Sequence, residues 1–469
     1  ILGVFDSSNI PVRQISLVPT MASNCSSDSE SCLKIDFNVC CCQYRPQGDV
    51  PDCDSHTKSK EGCEDKGSHR PCSKGPDDQR ACTPSGKSKL GASGCLCPYE
   101  SLEKENEKNN RCFSSSDGKE SKKNDCLVLE SANTLRLKTC DIPRPGNCEV
   151  LIEMKCVCIS ESDVSYWLHG RFNDSDMKEP IILGHEGCGH VVKVGPGVSV
   201  LKKGDRVAIE PGKPCWSCSK CFSGRHNLCP NSKFCGTPPT NGMLCNYFVH
   251  SEKYCHKLPD NVGFEEAALI EPLSIAFHAC TRGNVRMGKT VLILGSGALG
   301  LLTLMVCRAM GAASVYVVDT IKSRLERARM LGASGIICVE SGQCIKEMKK
   351  MVEKAVKTKP DISIVCCSME NCTKLSLLIT ETGGKVVLAR ADHSEIKVPL
   401  FNVATREVDV IGVFRYANSY PKALAALKNG KMNLRHLITH CFKLDDAAKA
   451  FDLLKDSQNN AIRVLIECK

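Results

Sequence analysis

The sequence has no unbroken apolar run of membrane-spanning length, no signal-peptide core and no dense basic tract. The best membrane candidate, VLILGSGALGLLTLMVCRAMGA at 291–312, is interrupted by glycines, so a spanning helix is not expected. The opening stretch ILGVFDSSNIPVRQISLVPT carries Asp and Arg and lacks an apolar core, which argues against a secretion signal. A net charge of +9 is spread thinly over 469 residues. That suits a small anionic ligand better than nucleic acid. The expectation is a soluble, cytoplasmic protein with neither a membrane nor a nucleic-acid partner. Because the chain opens on Ile, it reads as a fragment or processed product, with MASN at 21–24 as a candidate start.

Cysteine is plentiful: 34 residues. In a long chain without a secretion signal these read as thiols in a reducing compartment rather than as a disulfide framework. Residues 1–122 are rich in Ser, Lys, Glu, Gly and Pro and show neither helical nor strand periodicity, so disorder is expected there. CCC at 40–42 and Cys95-Leu-Cys97 leave a metal-binding or disulfide-linked module as the alternative.

From residue 124 the texture changes. CLVLES, LRLKTC and EVLIEMKCVCI read as short strands of a β-rich domain. From residue 289, strands and helical stretches alternate (TVLILG, ALGLLTLMVCRAMG, SVYVVD, KSRLERARMLG), which predicts an α/β domain with a parallel sheet covered by helices. VLILGSGALG sets Gly295, Gly297 and Gly300 in G-x-G-x-x-G directly after a buried strand, with Leu299 inside the turn. SVYVVD then ends in Asp319. Strand, glycines, helix and terminal acid together predict dinucleotide binding. A carboxylate at Asp319 accepts ribose hydroxyls and repels a 2′-phosphate, favouring NAD over NADP. Arg324 is placed on the adenosine side.

PCWSCSKCFSGRHNLCP carries Cys215, Cys218, Cys221 and Cys229 in C-x2-C-x2-C-x7-C spacing. Four thiolates in so short a loop predict a closed, structural zinc site.

The chain from about 124 to 469 resembles the zinc-containing medium-chain alcohol dehydrogenases, polyol (sorbitol) dehydrogenases in particular. The resemblance is carried by SDVSYW, LGHE, LKKGDRVAIEPG, FCGTPP, KLPDNVGFEEAALIEPLS, GSGALG and REVDVIGVFRY. It implies a GroES-like catalytic domain (123–272 and 414–469) interrupted by a Rossmann NAD-binding domain (273–413), with zinc and substrate between them. It implies further that a polyol secondary alcohol yields its hydride to NAD, and that the protein is a dimer or tetramer. His185 and Glu186 of LGHE are the implied catalytic-zinc ligands, with Glu271 nearby through water; Tyr166, Arg415 and Tyr416 are the implied substrate contacts.

The family's cysteine ligand falls on Ser160, a neutral hydroxyl that binds zinc poorly. Compensation is conceivable from Cys158, from direct coordination by Glu271, or from Ser160 as an alkoxide. Ser165 stands where relatives carry a proton-relaying histidine and would pass a proton through its hydroxyl. Ser368, Arg390 and Asp392 occupy loops where glycines are expected beside the nicotinamide and threaten to crowd it. Two other readings stay open: a non-catalytic NAD-binding homologue that keeps only the structural zinc, and a zinc-free reductase acting on an activated double bond or quinone.

Overall fold

The computed structural model describes residues 123–172, 175–390, 395–455 and 459–469. The N-terminal expectations for 1–122 and the candidate Asp392 lie outside the described residues.

The strand readings hold. CLVLES and LRLKTC lie in the antiparallel pair Asn124–Ser131 and Thr134–Cys140. EVLIEMKCVCI forms the strand Glu149–Ile159. That strand runs through a seven-stranded sheet between Glu186–Val194 and the late strand Arg463–Glu467, antiparallel to both. Its burial is almost continuous because packed elements cover both faces. Sequence ends separated by three hundred residues thereby meet in one sheet.

The second sheet is six-stranded and wholly parallel, in the order Gly335–Cys338, Ser314–Asp319, Thr290–Leu294, Ile362–Val365, Lys385–Leu388, Asp409–Gly412. The chain starts at a central strand, winds outward, then crosses back and winds the other way. This is the doubly wound order, whose reversal point opens a crevice at the carboxyl ends of the central strands. Separate apolar clusters cover its two faces. Helix Ile270–Arg282 packs on one face and delivers Glu271 in its first turn. The apolar run at 291–312 is split between the strand Thr290–Leu294 and the helix Ala298–Ala309. Among the described residues no helix is long and apolar enough to cross a membrane.

Helix Glu161–His169 owes its start to Ser160. The Ser160 hydroxyl accepts from the Asp163 amide at 3.2 Å, and the Asp163 carboxylate accepts from the Ser160 amide at 2.9 Å, a reciprocal capping box. Gly170 ends the helix in the left-handed conformation (φ 66°). Replacing Ser160 with Ala is expected to cost about 1 kcal/mol, measured as a shift in the denaturant midpoint.

Candidate active site and cofactor crevice

The three glycines of the first turn do different work. Gly295 has φ 102°, and a Cβ there would press on Cys367 and the Cys366 backbone. Gly297 faces open space, with nothing within 4 Å of an added Cβ. That opening lets a pyrophosphate approach the backbone at the N-terminus of helix Ala298–Ala309. At Gly300 an added Cβ would stand 1.9 Å from the Gly295 carbonyl oxygen, so helix and turn can pack this closely only without a side chain. Gly300→Ala is expected to cost about 1–3 kcal/mol from overpacking and to abolish measurable heat of NAD binding by titration calorimetry. Leu299 is partly buried against the adjoining core.

Asp319 ends its strand beside this turn, accepting from the Ser296 amide and, at 2.9 Å, from the Ile321 amide. Arg324, on the following helix, keeps a buried Nε with no hydrogen-bond partner. Arg390 reaches out of the cofactor domain and pairs with Glu161 in the first turn of Glu161–His169. It links the two domains instead of only filling the nicotinamide side. Ser368 is partly buried in the loop after Ile362–Val365.

The cysteine lobe meets its expectation geometrically. The four sulfurs of Cys215, Cys218, Cys221 and Cys229 lie within 4.8 Å of one another, with Cys215–Cys229 at 3.4 Å and Cys218–Cys221 at 3.6 Å. A disulfide needs about 2.05 Å, whereas four sulfurs each about 2.3 Å from one zinc stand roughly 3.8 Å apart. The lobe fits a tetrahedral ion.

A second group of possible metal ligands also converges. Donor atoms of His185, Glu186 and Glu271 also lie within 4.8 Å of one another, and all three residues are buried. Gly184 (φ +92°) makes the turn ahead of His185, where a Cβ would meet Leu244 at 2.9 Å. The Gly184 amide donates to Asp163 at 2.9 Å, so the helix-capping carboxylate also fixes the loop that presents the imidazole. Glu186 opens its strand and accepts from Arg463 at 2.9 Å through Oε1, while its Oε2 has no partner. The Nδ1 of His185 is likewise buried without one.

Burial lowers the His185 pKa, leaving a neutral imidazole suited to ligation. Burial pushes Glu186 up to about 7 against the opposing pull of Arg463. Burial and then the Glu186 charge push Glu271 up to about 8. Two crowded carboxylates, an orphaned carboxylate oxygen and a neutral imidazole make a donor set that a divalent cation satisfies.

Three residues weighed for the site are engaged elsewhere. The Ser160 hydroxyl donates to the Asp163 carboxylate at 2.6 Å while its oxygen serves the helix cap, so the alkoxide ligand imagined for it gives way to a structural role. Cys158 does not reach in: it sits in an uninterrupted strand paired on both sides, fully buried, and its sulfur is not in the converging group. The Ser165 hydroxyl donates to the Arg171 carbonyl at 2.8 Å, which engages the proton it was expected to relay.

Arg415, with φ 49°, lays its guanidinium 3.7 Å from the centre of the Phe234 ring. That ring lies 5.3 Å from His185. Phe234 thus joins Arg415 to His185, although nothing in FCGTPP assigns it a role. Tyr166 and Tyr416 are buried, and Tyr416 lies beside Glu271 and Tyr420. Arg463 was missed altogether, since nothing local in AIRVLIE marks a residue whose partner is 277 positions away.

Comparison with known proteins identifies the family. The family model for the alcohol dehydrogenase GroES-like domain matches residues 146–260, and that for zinc-binding dehydrogenase matches 298–429. Sorbitol dehydrogenase of Gallus gallus is 44% identical over 342 residues, covering 73% of this chain and 96% of the relative. The Bos taurus enzyme is 45% identical over 342 residues, covering 73% and 95%. Among solved structures, an Escherichia coli oxidoreductase/dehydrogenase of unknown specificity superposes with TM-score 0.69 at 33% identity, covering 74% of this chain and all (100%) of that one. An Escherichia coli alcohol dehydrogenase complexed with NADH gives 0.68 at 28%, covering 74% and 99%. With the parallel sheet, the glycine turn, the sulfur lobe and the buried His–Glu–Glu group in place, the chain belongs to the sorbitol dehydrogenase family of zinc-containing medium-chain alcohol dehydrogenases.

Proposed function

We propose that this protein oxidises a secondary alcohol of a polyol and passes the hydride to NAD, using a divalent metal at His185, Glu186 and Glu271. The observation that carries this reading is the convergence of the donor atoms of those three buried side chains within 4.8 Å of one another. When bound, the metal supplies Lewis-acid polarisation of the alcohol oxygen and NAD supplies the hydride acceptor. The chain's own residues do the rest. The open backbone at Gly297 and the following helix N-terminus receive the pyrophosphate. Asp319 accepts the ribose hydroxyls and disfavours a 2′-phosphate, while the unsatisfied Arg324 Nε is available on the adenosine side. The hydroxyls of Tyr166 and Tyr416, with the Arg415 guanidinium, offer hydrogen bonds to a polyhydroxylated chain.

A homo-oligomer is part of the proposal. The outer strand Asp409–Gly412 leaves an edge of the parallel sheet unpaired among the described residues, and Phe401 (83% exposed), Leu400 and Phe414 are exposed apolar side chains in the same part of the chain. A reducing, cytoplasmic setting is part of the same proposal.

The test is NAD reduction by the full chain across a panel of polyols with zinc supplied. Turnover with sorbitol or a close stereoisomer is expected, and His185→Ala should lower kcat/KM by about three powers of ten, the equivalent of several kcal/mol of lost stabilisation. Inactivity on every polyol at saturating NAD and zinc would sink the proposal.

A further inference from the structure

We infer that the cleft metal has no sulfur ligand: His185, Glu186 and Glu271 hold it directly, making an oxygen-rich site that exchanges its divalent cation, in contrast to the closed four-sulfur lobe on the same chain. The inference deepens the proposed function by naming the coordination of its metal.

Three observations converge on it. The Ser160 hydroxyl is spent in both directions, donating to the Asp163 carboxylate at 2.6 Å and accepting from the Asp163 amide at 3.2 Å. As a metal ligand it would have to abandon the helix cap and carry negative charge beside that carboxylate. Cys158 pairs with Glu186 across the sheet, yet it is fully buried in a strand paired with neighbours on both sides, and its sulfur stands outside the converging group. Glu271, by contrast, already stands in the converging group, delivered by the first turn of a rigid helix. Glu186 supplies the independent sign of a missing ligand. The residue is 2% exposed, Oε1 is engaged by Arg463, and Oε2 is buried with nothing to accept from.

Donor chemistry sets the consequence. Thiolates select soft and borderline cations such as zinc, whereas imidazole and carboxylate also accept cobalt and manganese. With three protein ligands a coordination position remains open, as a catalytic site requires. The cysteine lobe has four protein ligands and no such opening.

The test uses the full chain, a mild chelator and cobalt(II). Treatment is expected to remove one zinc per chain and leave one in the cysteine lobe, which also reports that the protein is still folded. Cobalt should then refill one site and give visible d–d absorption without the near-ultraviolet band of a thiolate-to-cobalt transition. Glu271→Gln, close to isosteric, should keep the lobe zinc and weaken cobalt uptake by roughly a hundredfold. Ser160→Ala should leave cobalt uptake within about twofold. A near-ultraviolet thiolate band from the refilled site, loss of uptake in Ser160→Ala, full uptake in Glu271→Gln, or no uptake by the native sequence would each overturn the inference. A chain that binds cobalt as expected yet reduces no NAD with any polyol leaves this coordination standing and refutes the proposed function instead.

Discussion

Replacing Arg463 with Met should cost the metal-stripped protein about 3–5 kcal/mol, the range for breaking a buried ion pair by removing one partner. The Arg463 and Glu186 side chains are 6% and 3% exposed and meet at 2.9 Å. Without the guanidinium, Glu186 must either stay charged in a dry site or take up a proton. The pH dependence follows from the sign of the shift. Burial already holds Glu186 at about 7, above its ordinary value of 4.5, and loss of Arg463 raises it further. A carboxyl raised on folding contributes stability that is present at acid pH and lost as pH climbs through the folded value. The deficit of Arg463→Met should therefore shrink toward pH 4.5 and be largest above pH 8. Glu186→Gln in the same chain should recover most of the loss, because it removes the uncompensated charge. Denaturant titrations of the two variants at several pH values decide it. A deficit that does not change with pH would mean that Arg463 matters for packing alone.

The second large effect is expected in the cysteine lobe. Between 215 and 229 only Cys221 and Cys229 are buried, while Phe222 is 78% exposed. The loop has no apolar core of its own, so a metal held by the four cysteines would supply its cohesion. Cys221→Ser should lower the zinc content by one per chain. It should also speed tryptic cleavage at Lys220 or Arg225 by about tenfold or more, since cleavage follows the open population. Zinc content unchanged by the substitution would overturn the four-sulfur assignment. Unchanged cleavage at a lower zinc content would show instead that the loop is held by its surroundings.

The features legible beforehand are those whose partners lie within one turn or one loop. G-x-G-x-x-G declares itself because strand, turn and helix are contiguous, and Gly295 and Gly300 answer local steric demands. The sulfur lobe is readable because fifteen residues contain the whole coordination sphere. The parallel sheet followed from alternating periodicities, and the β-rich domain from short runs between turn signals. The resemblance to polyol dehydrogenases extended this reading to His185 and Glu186 as a pair.

Long-range pairings were not legible. Cys158, Ser160 and Glu271 looked like equal candidates to complete the cleft, because a sequence names donor types but not where each donor is aimed. Composition, periodicity and motif spacing determined the β-rich stretch followed by a parallel sheet, the glycine turn and the four-cysteine cluster, since those depend on interactions a few residues apart. Only the tertiary structure decided that Ser160 caps a helix, that Cys158 is locked in a ladder and that Arg463 answers Glu186. Each of those outcomes depends on which strands and helices are brought together, and in a low-dielectric interior every buried donor or charge takes the partner that geometry places beside it.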